Sequence, residues 1–268
     1  MKDPFAARGF LLDLDGTVYE GHRLVPGTKK ALHILRDLDR RFLFITNTTS
    51  RSRRQIFEKL RGLGIPCAVD EILTSPRTAA ALLKDRGIER CRLLASETCV
   101  EDFRDLGVEP VLPGPPARGI PAVVVGDLGE RFTFPVLNDA FHSLLDGALL
   151  VSMSPNRYWK APEGLRLDAG PFVAALEYAS GAEALVAAKP SSPIFLEGCR
   201  ILGREPGQVV MVGDDAEVDI AGAGRAGLGS ILVKTGKYRD GDEERFDPAP
   251  GGVVKNLLDF ASRLPQVP

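Results

Sequence analysis

Short apolar runs alternate with amphipathic helical patterns along nearly the whole chain, and this alternation leaves few folds open. Residues 9–14, 42–46, 209–212 and 230–234 read as buried strands. Residues 29–38 place Ala31, Leu32, Leu35 and Leu38 on one helix face. A second helix is expected over 53–63, stopped by Gly62 and Gly64, with others over 216–226 and 253–264. The middle repeats the pattern. Residues 91–95, 122–125 and 149–152 read as strands, 98–106, 135–145 and 171–180 as helices, and the Pro/Gly-rich 110–121 as a long turn. Strand–helix alternation of this kind predicts an α/β fold, a doubly wound parallel sheet covered on both faces.

Composition narrows the class. At 268 residues the chain can bury one large core or two smaller ones. With 34 basic and 36 acidic side chains the formal net charge is −2, which gives no electrostatic footprint for nucleic acid. No apolar run approaches the roughly 18 residues of a membrane span, and the start MKDPFAARGF lacks the apolar core of a secretory signal. Cys67, Cys91, Cys99 and Cys199 show no CxxC spacing and read as reduced thiols. A cytoplasmic protein with no membrane or nucleic-acid partner is the expectation.

The chemistry gathers at strand ends. Asp13-Leu14-Asp15-Gly16-Thr17 closes the first strand with carboxylates at i and i+2, which a strand points the same way, and with a glycine that lets the chain turn. In an open α/β sheet the carboxyl ends of strands are where ligands bind. Two acids held close call for a cation, and hard oxygen donors favour Mg²⁺. A plain turn has the same composition, so this motif alone leaves both readings open. An EF-hand loop is excluded, because Gly16 comes two positions too early and Leu24 stands where the bidentate Glu should be. Ile45-Thr46-Asn47-Thr48 offers a hydroxyl and backbone N–H groups at a strand-to-helix turn, which suits a phosphate or, equally, an N-cap for the following helix. Lys189 follows the apolar residues 184–188. Gly213-Asp214-Asp215, with Asp219 one helical turn on, brings more carboxylates to a strand end than charge complementation of a helix needs.

In this order, DLDGT, Thr46, Lys189 and GDDAEVD resemble the motifs of the haloacid dehalogenase (HAD) superfamily of phosphohydrolases. Asp13 and Thr46 are 33 residues apart and leave no room for a cap domain. Thr46 and Lys189 are 143 apart, so a second α/β domain must be inserted there. That resembles the class II cap, type A, of NagD-like and p-nitrophenyl phosphatase-like enzymes. Residues 45–50, 157–160, 170–179 (GPFVAALEYA) and 232–238 (LVKTGKY) are similar to the family of the haloacid dehalogenase-like hydrolase domain-containing protein 2 and the phospholysine phosphohistidine inorganic pyrophosphate phosphatase. Ser154-Pro155-Asn156 departs from that family, which would carry a basic residue before Arg157.

The resemblance implies a Rossmann-like HAD core at 1–77 and 188–268 with an inserted α/β cap at 78–187. It implies a Mg²⁺-dependent phosphatase acting on a small phosphate ester or phosphoanhydride, a small phosphorylated metabolite, through an aspartyl-phosphate intermediate. Asp13 would be the nucleophile and Asp15 the acid and base. Thr46 and the backbone near Asn47 would hold the phosphoryl group, and Lys189 would neutralise it. Asp13, the Asp15 carbonyl and Asp214 would bind the metal, with Asp219 counted in the same metal set and orienting Lys189 or a metal-bound water, a task Asp215 could share. Arg157, Tyr158, Trp159 and Lys160 are expected on a cap loop that contacts substrate; the rings packing inside the cap is the alternative. A homodimer through the cap is a further expectation. Two competing functions stay open: a non-catalytic HAD-fold binding protein, against which every motif position is filled, and a dehalogenase, which has no use for Asp15 or a metal.

Overall fold

In the computed structural model, which describes residues 3–115, 117–161 and 163–265, the run Gly9–Asp13 is a strand buried along its whole length. It lies between two parallel neighbours. Gly9 is level with both Val209 and Arg41, and Asp13 is level with Ile45. The sheet reads Val253–Val254, Gly229–Val233, Val209–Gly213, Gly9–Asp13, Arg41–Thr46, Ile72–Thr74. The register sets Asp13, Thr46 and Gly213 at one edge, because all three strands run the same way.

Alternation along the central strand explains the two helical layers. Phe10 and Leu12 face a cluster with Ala31, Leu32 and Leu35 of helix Thr28–Asp37 and Leu257 and Phe260 of helix Leu257–Ser262. Leu11 faces the other side, against Ile194, Phe195 and Cys199 of helix Ser192–Leu202. At Gly198 a Cβ would sit 2.7 Å from the Leu11 side chain, so helix and strand meet there only with glycine.

The chain divides into two compact units. The first is Met1–Thr46, Arg54–Leu73 and Lys189–Pro268, and the second is Asn47–Arg53 and Thr74–Ala188. The second unit has its own parallel sheet, ordered Leu185–Val186, Leu149–Ser152, Ala122–Val125, Arg90–Leu94, Glu109–Val111. Leu93, Val124 and Val151 pack on Ala79, Ala80, Leu83 and Phe103 on one face. Leu94, Val123, Val125 and Leu150 pack on Ala140, Leu144, Val173 and Leu176 on the other. The second unit begins before residue 78 because helix Ser75–Lys84 is one piece, capped by the Thr74 hydroxyl on the Arg77 amide. It also takes in Asn47–Arg53, through the Cys99 thiol on the Thr49 carbonyl (3.1 Å) and the Arg53 ion pairs with Asp102 and Asp105.

Several sequence expectations need correction. The final helix spans only Leu257–Ser262, because Val253–Val254 pairs with the neighbouring strand and Asn256 caps the helix on the Asp259 amide. The turn expected over 110–121 holds the end of the edge strand Glu109–Val111, and its Pro116 lies outside the described residues. The core ends 1–2 and 266–268 also lie outside them. Helix 216–226 opens as a π-helical segment, Ala216–Ala221, before α-helix Gly222–Arg225. Among the described residues no helix is long and apolar enough to cross a membrane.

Candidate active site

The first strand stops at Asp13, and the chain folds back at once. The Leu14 carbonyl accepts from the Val18 and Tyr19 amides (2.9 and 3.1 Å), while the Gly16 amide donates to the Tyr19 carbonyl (2.7 Å). Gly16 takes φ +96°, and a Cβ there would lie 2.1 Å from Asp214 Oδ2. Glycine is therefore required twice at this position, by backbone and by space. Asp15 stands beyond the strand, so strand alternation no longer governs it, and its side chain is exposed. Asp13, in contrast, is buried.

Three carboxylates meet at the sheet edge. Asp13, Asp214 and Asp219 each offer an oxygen, and these oxygens lie within 4.8 Å of one another. Asp15, read from sequence into the metal set through its carbonyl, contributes no carboxylate to this group. Lys189 enters from the strand-end segment after Ala188. Its Nζ donates to Asp13 Oδ1 (2.5 Å) and Asp219 Oδ1 (2.6 Å). Asp219 Oδ2 accepts the Asp215 amide (3.3 Å), and a Cβ at Gly213 would strike that carboxylate at 2.3 Å. Asp215 itself caps the π-helical turn on the Glu217 and Val218 amides. Thr46 ends its strand buried, one step beyond the Asp13–Ile45 level, and Asn47 is half-buried.

Electrostatics follow from this crowding. Burial, then the neighbouring Asp219, pushes Asp214 up to about 6. Burial likewise raises Asp13 well above the usual carboxylate range, although Lys189 opposes it. Burial disfavours the Lys189 ammonium, but Asp13 and Asp219 outweigh it and hold the proton more tightly than usual. For Asp215 burial also works upward, but the Val218 amide and Lys237 prevail and hold it low. One buried cation among three buried acids leaves a net negative cradle of hard oxygens, which matches a divalent cation.

Sequence reasoning missed part of this site. Thr17 Oγ1 lies 3.5 Å from Asp214 Oδ1, the outer limit of a hydrogen bond. The Lys237 amide donates to Asp214 Oδ2 (2.7 Å) and its Nζ to Asp215 Oδ2 (3.0 Å). In the sequence, segment 232–238 stands out only by its similarity to relatives, which gives it no role.

The cap residues are placed differently from expectation. Tyr158–Ala161 is a strand, not a loop, paired antiparallel with Gly164–Leu167 in the second unit. Cross-strand pairs such as Tyr158–Leu167 and Trp159–Arg166 hold it extended. Arg157 and Lys160 are exposed, and so are both rings, Tyr158 at 57% and Trp159 at 44%. The rings therefore do not pack inside the cap.

Residues 10–109 match the family model for haloacid dehalogenase-like hydrolases, and 186–260 match the HAD-hydrolase-like model. Haloacid dehalogenase-like hydrolase domain-containing protein 2 of Bos taurus is 42% identical over 91% of both chains. Phospholysine phosphohistidine inorganic pyrophosphate phosphatase of Rattus norvegicus is 34% identical over 97% of this chain and 94% of its own. A solved structure of 4-nitrophenylphosphatase from Thermotoga maritima superposes with a TM-score of 0.85 at 30% identity, covering 97% of this chain and 98% of that one. By sequence and by fold together, the chain belongs to the haloacid dehalogenase-like hydrolases, as a phosphohydrolase of the NagD-like, class IIA type.

Proposed function

We propose that this protein is a Mg²⁺-dependent phosphatase that hydrolyses a small phosphorylated metabolite, an ester or an anhydride, through a phosphoryl group carried on Asp13. The observation that supports it most is the buried Asp13 carboxylate, bound to Lys189 and sharing a cradle with Asp214 and Asp219. Asp13, Asp214 and the turn at Asp15 would hold the cation, which when bound supplies positive charge against the phosphate anion.

In this reading the Asp13 carboxylate attacks phosphorus. A bond from an Asp13 carboxylate oxygen to phosphorus forms, giving an acyl phosphate, as the bond to the leaving oxygen breaks. The exposed Asp15 gives that oxygen its proton, which suits a group in contact with water. Asp15 then takes a proton from the incoming water. The water oxygen bonds to phosphorus, the acyl-phosphate bond breaks, and inorganic phosphate and the Asp13 carboxylate result. Lys189, kept charged by two carboxylates, offsets the repulsion between Asp13 and the phosphoryl oxygens. Thr46 and the backbone at Asn47 would hold those oxygens.

Chelator-treated enzyme should lose activity on p-nitrophenyl phosphate, and added Mg²⁺ should restore it. Excess Ca²⁺ should inhibit, because it takes a larger, less regular shell than the octahedron of Mg²⁺. Full activity after chelation would sink the cation assignment.

A second test uses pH. Asp214 sits at about 6 in the folded, metal-free protein, above the 3.8 of an ordinary aspartate. The folded state therefore keeps this proton longer than the unfolded chain. As pH rises from about 4 to 6, metal-free stability should fall on account of this group, and the loss is complete above that window. Mg²⁺ binds the ionised form, so the rise in Tm on adding Mg²⁺ should be small at about pH 5 and larger at about pH 7.5. An equal Tm rise at both values would contradict the raised Asp214.

A further inference from the structure

We infer that loop 235–237 is a positioning element for the cation site, setting the orientation of Asp214 and of the turn after Asp15. The inference rests on the cation reading above and adds residues to it. Lys237 reaches both members of the Asp214–Asp215 pair, the first with its amide and the second with its ammonium. An amide aimed at Asp214 Oδ2 fixes which way that carboxylate faces. The side-chain bond to Asp215 keeps the adjacent acid out of the cradle, where a further negative charge would compete for the same cation.

Thr235 ties the loop to the other half of the site. Its Oγ1 donates to the Gly16 carbonyl (2.5 Å), across 219 positions of sequence. The Gly16 turn begins at Asp15, so this bond sets where the Asp15 carbonyl and carboxylate sit. Glu20 Oε1 accepts the Gly236 amide (3.1 Å) and closes the loop onto the small hairpin Tyr19–Glu20 and Arg23–Leu24. Four bonds thus hold three consecutive loop residues: Thr235 to the Gly16 turn, Gly236 to Glu20, and Lys237 to Asp214 and Asp215.

Gly236 is where this arrangement has no slack. Its φ is +57°, and a Cβ would lie 2.1 Å from Asp214 Oδ2 and 2.5 Å from Gly16 Cα. A methyl group there has to displace either the carboxylate or the turn, since the second contact is backbone. Groups that orient a metal-binding side chain typically change metal affinity by about 10- to 100-fold when removed.

The experiment is calorimetric titration of Mg²⁺ into metal-free full-length protein, alongside kcat measured as a function of Mg²⁺. Gly236→Ala should raise the Mg²⁺ Kd by about tenfold or more. Thr235→Val should raise it as well, and Thr235→Ser, which keeps the hydroxyl, should restore it. The Mg²⁺ concentration for half-maximal rate should rise in parallel. A role in folding alone would lower Tm without moving the Kd, so melts in chelator are recorded for each variant. If Gly236→Ala does not fold, the Thr235→Val and Thr235→Ser pair decides. Wild-type Kd in both Gly236→Ala and Thr235→Val overturns the inference, as does a Thr235→Ser Kd no better than that of Thr235→Val. A flat titration of the wild type is a different failure: it removes the cation reading itself, and this inference with it.

Discussion

Replacing Asp13 with Asn should lower kcat by about three orders of magnitude or more while leaving the fold in place. The amide matches the carboxylate in shape and can still accept from Lys189, which also keeps its 2.6 Å bond to Asp219. What the amide lacks is the ability to attack phosphorus and to leave again as a carboxylate. One negative charge is also removed from a cradle that holds three acids and one buried cation. The metal-free variant should therefore be no less stable than the wild type, since like charges crowd the native site. Initial rates at saturating Mg²⁺, with a melt in chelator, measure both effects. More than about a tenth of the wild-type rate would remove Asp13 from the nucleophile role, because a single lost catalytic group costs far more than that.

Most of the candidate site was legible in the sequence because Asp13, Thr46, Lys189 and Asp214 sit at the ends of apolar runs, with Asp219 one helical turn beyond Asp215. Asp13, Thr46 and Asp214 terminate or follow strands whose hydrophobic residues announce themselves, and parallel register brings such ends to one edge. The parts that stayed hidden have no local signature. Thr17 and Asp214 are 197 positions apart, and Thr235 and Gly16 are 219 apart. Nothing in LVKTGKY shows that its Lys237 amide aims at a carboxylate. The exposed side of Asp15 was equally hidden, because an i, i+2 rule holds only while the strand lasts, and this strand ends at Asp13. The antiparallel strands Tyr158–Ala161 and Gly164–Leu167 escaped for a different reason. Two four-residue strands exposed over most of their length carry almost no burial pattern from which to read a period. Helix Ser75–Lys84 follows Thr74, and the Pro76 near its start is a helix signal that was there to be read.

The buried Arg53 centre is the clearest case of structure that sequence conceals, and it should govern the stability of the second unit. Arg53 is 6% exposed. Its Nε pairs with Asp102 Oδ1, its Nη2 bonds Asp105 Oδ2 at 2.5 Å, and Asp102 Oδ2 accepts the Thr74 hydroxyl at 3.2 Å. Burial raises the Asp102 carboxyl above its usual value, although the Arg53 guanidinium beside it pulls the other way. Asp102→Ala strips that partner and leaves a guanidinium that is buried and bonded to a half-exposed Asp105. The cost should be about 3–5 kcal/mol, the range for breaking a buried pair from one side. The single tryptophan, Trp159, belongs to this unit, so its fluorescence during urea unfolding reports the unit selectively. Removing both buried charges should cost much less than removing one, because the ion left behind, Asp105, is half-exposed and in contact with water. Arg53→Met combined with Asp102→Leu should therefore recover most of the lost stability. A loss under about 1 kcal/mol for Asp102→Ala, or a double variant as weak as the single, would show that this pair does not hold Asn47–Arg53 to the unit.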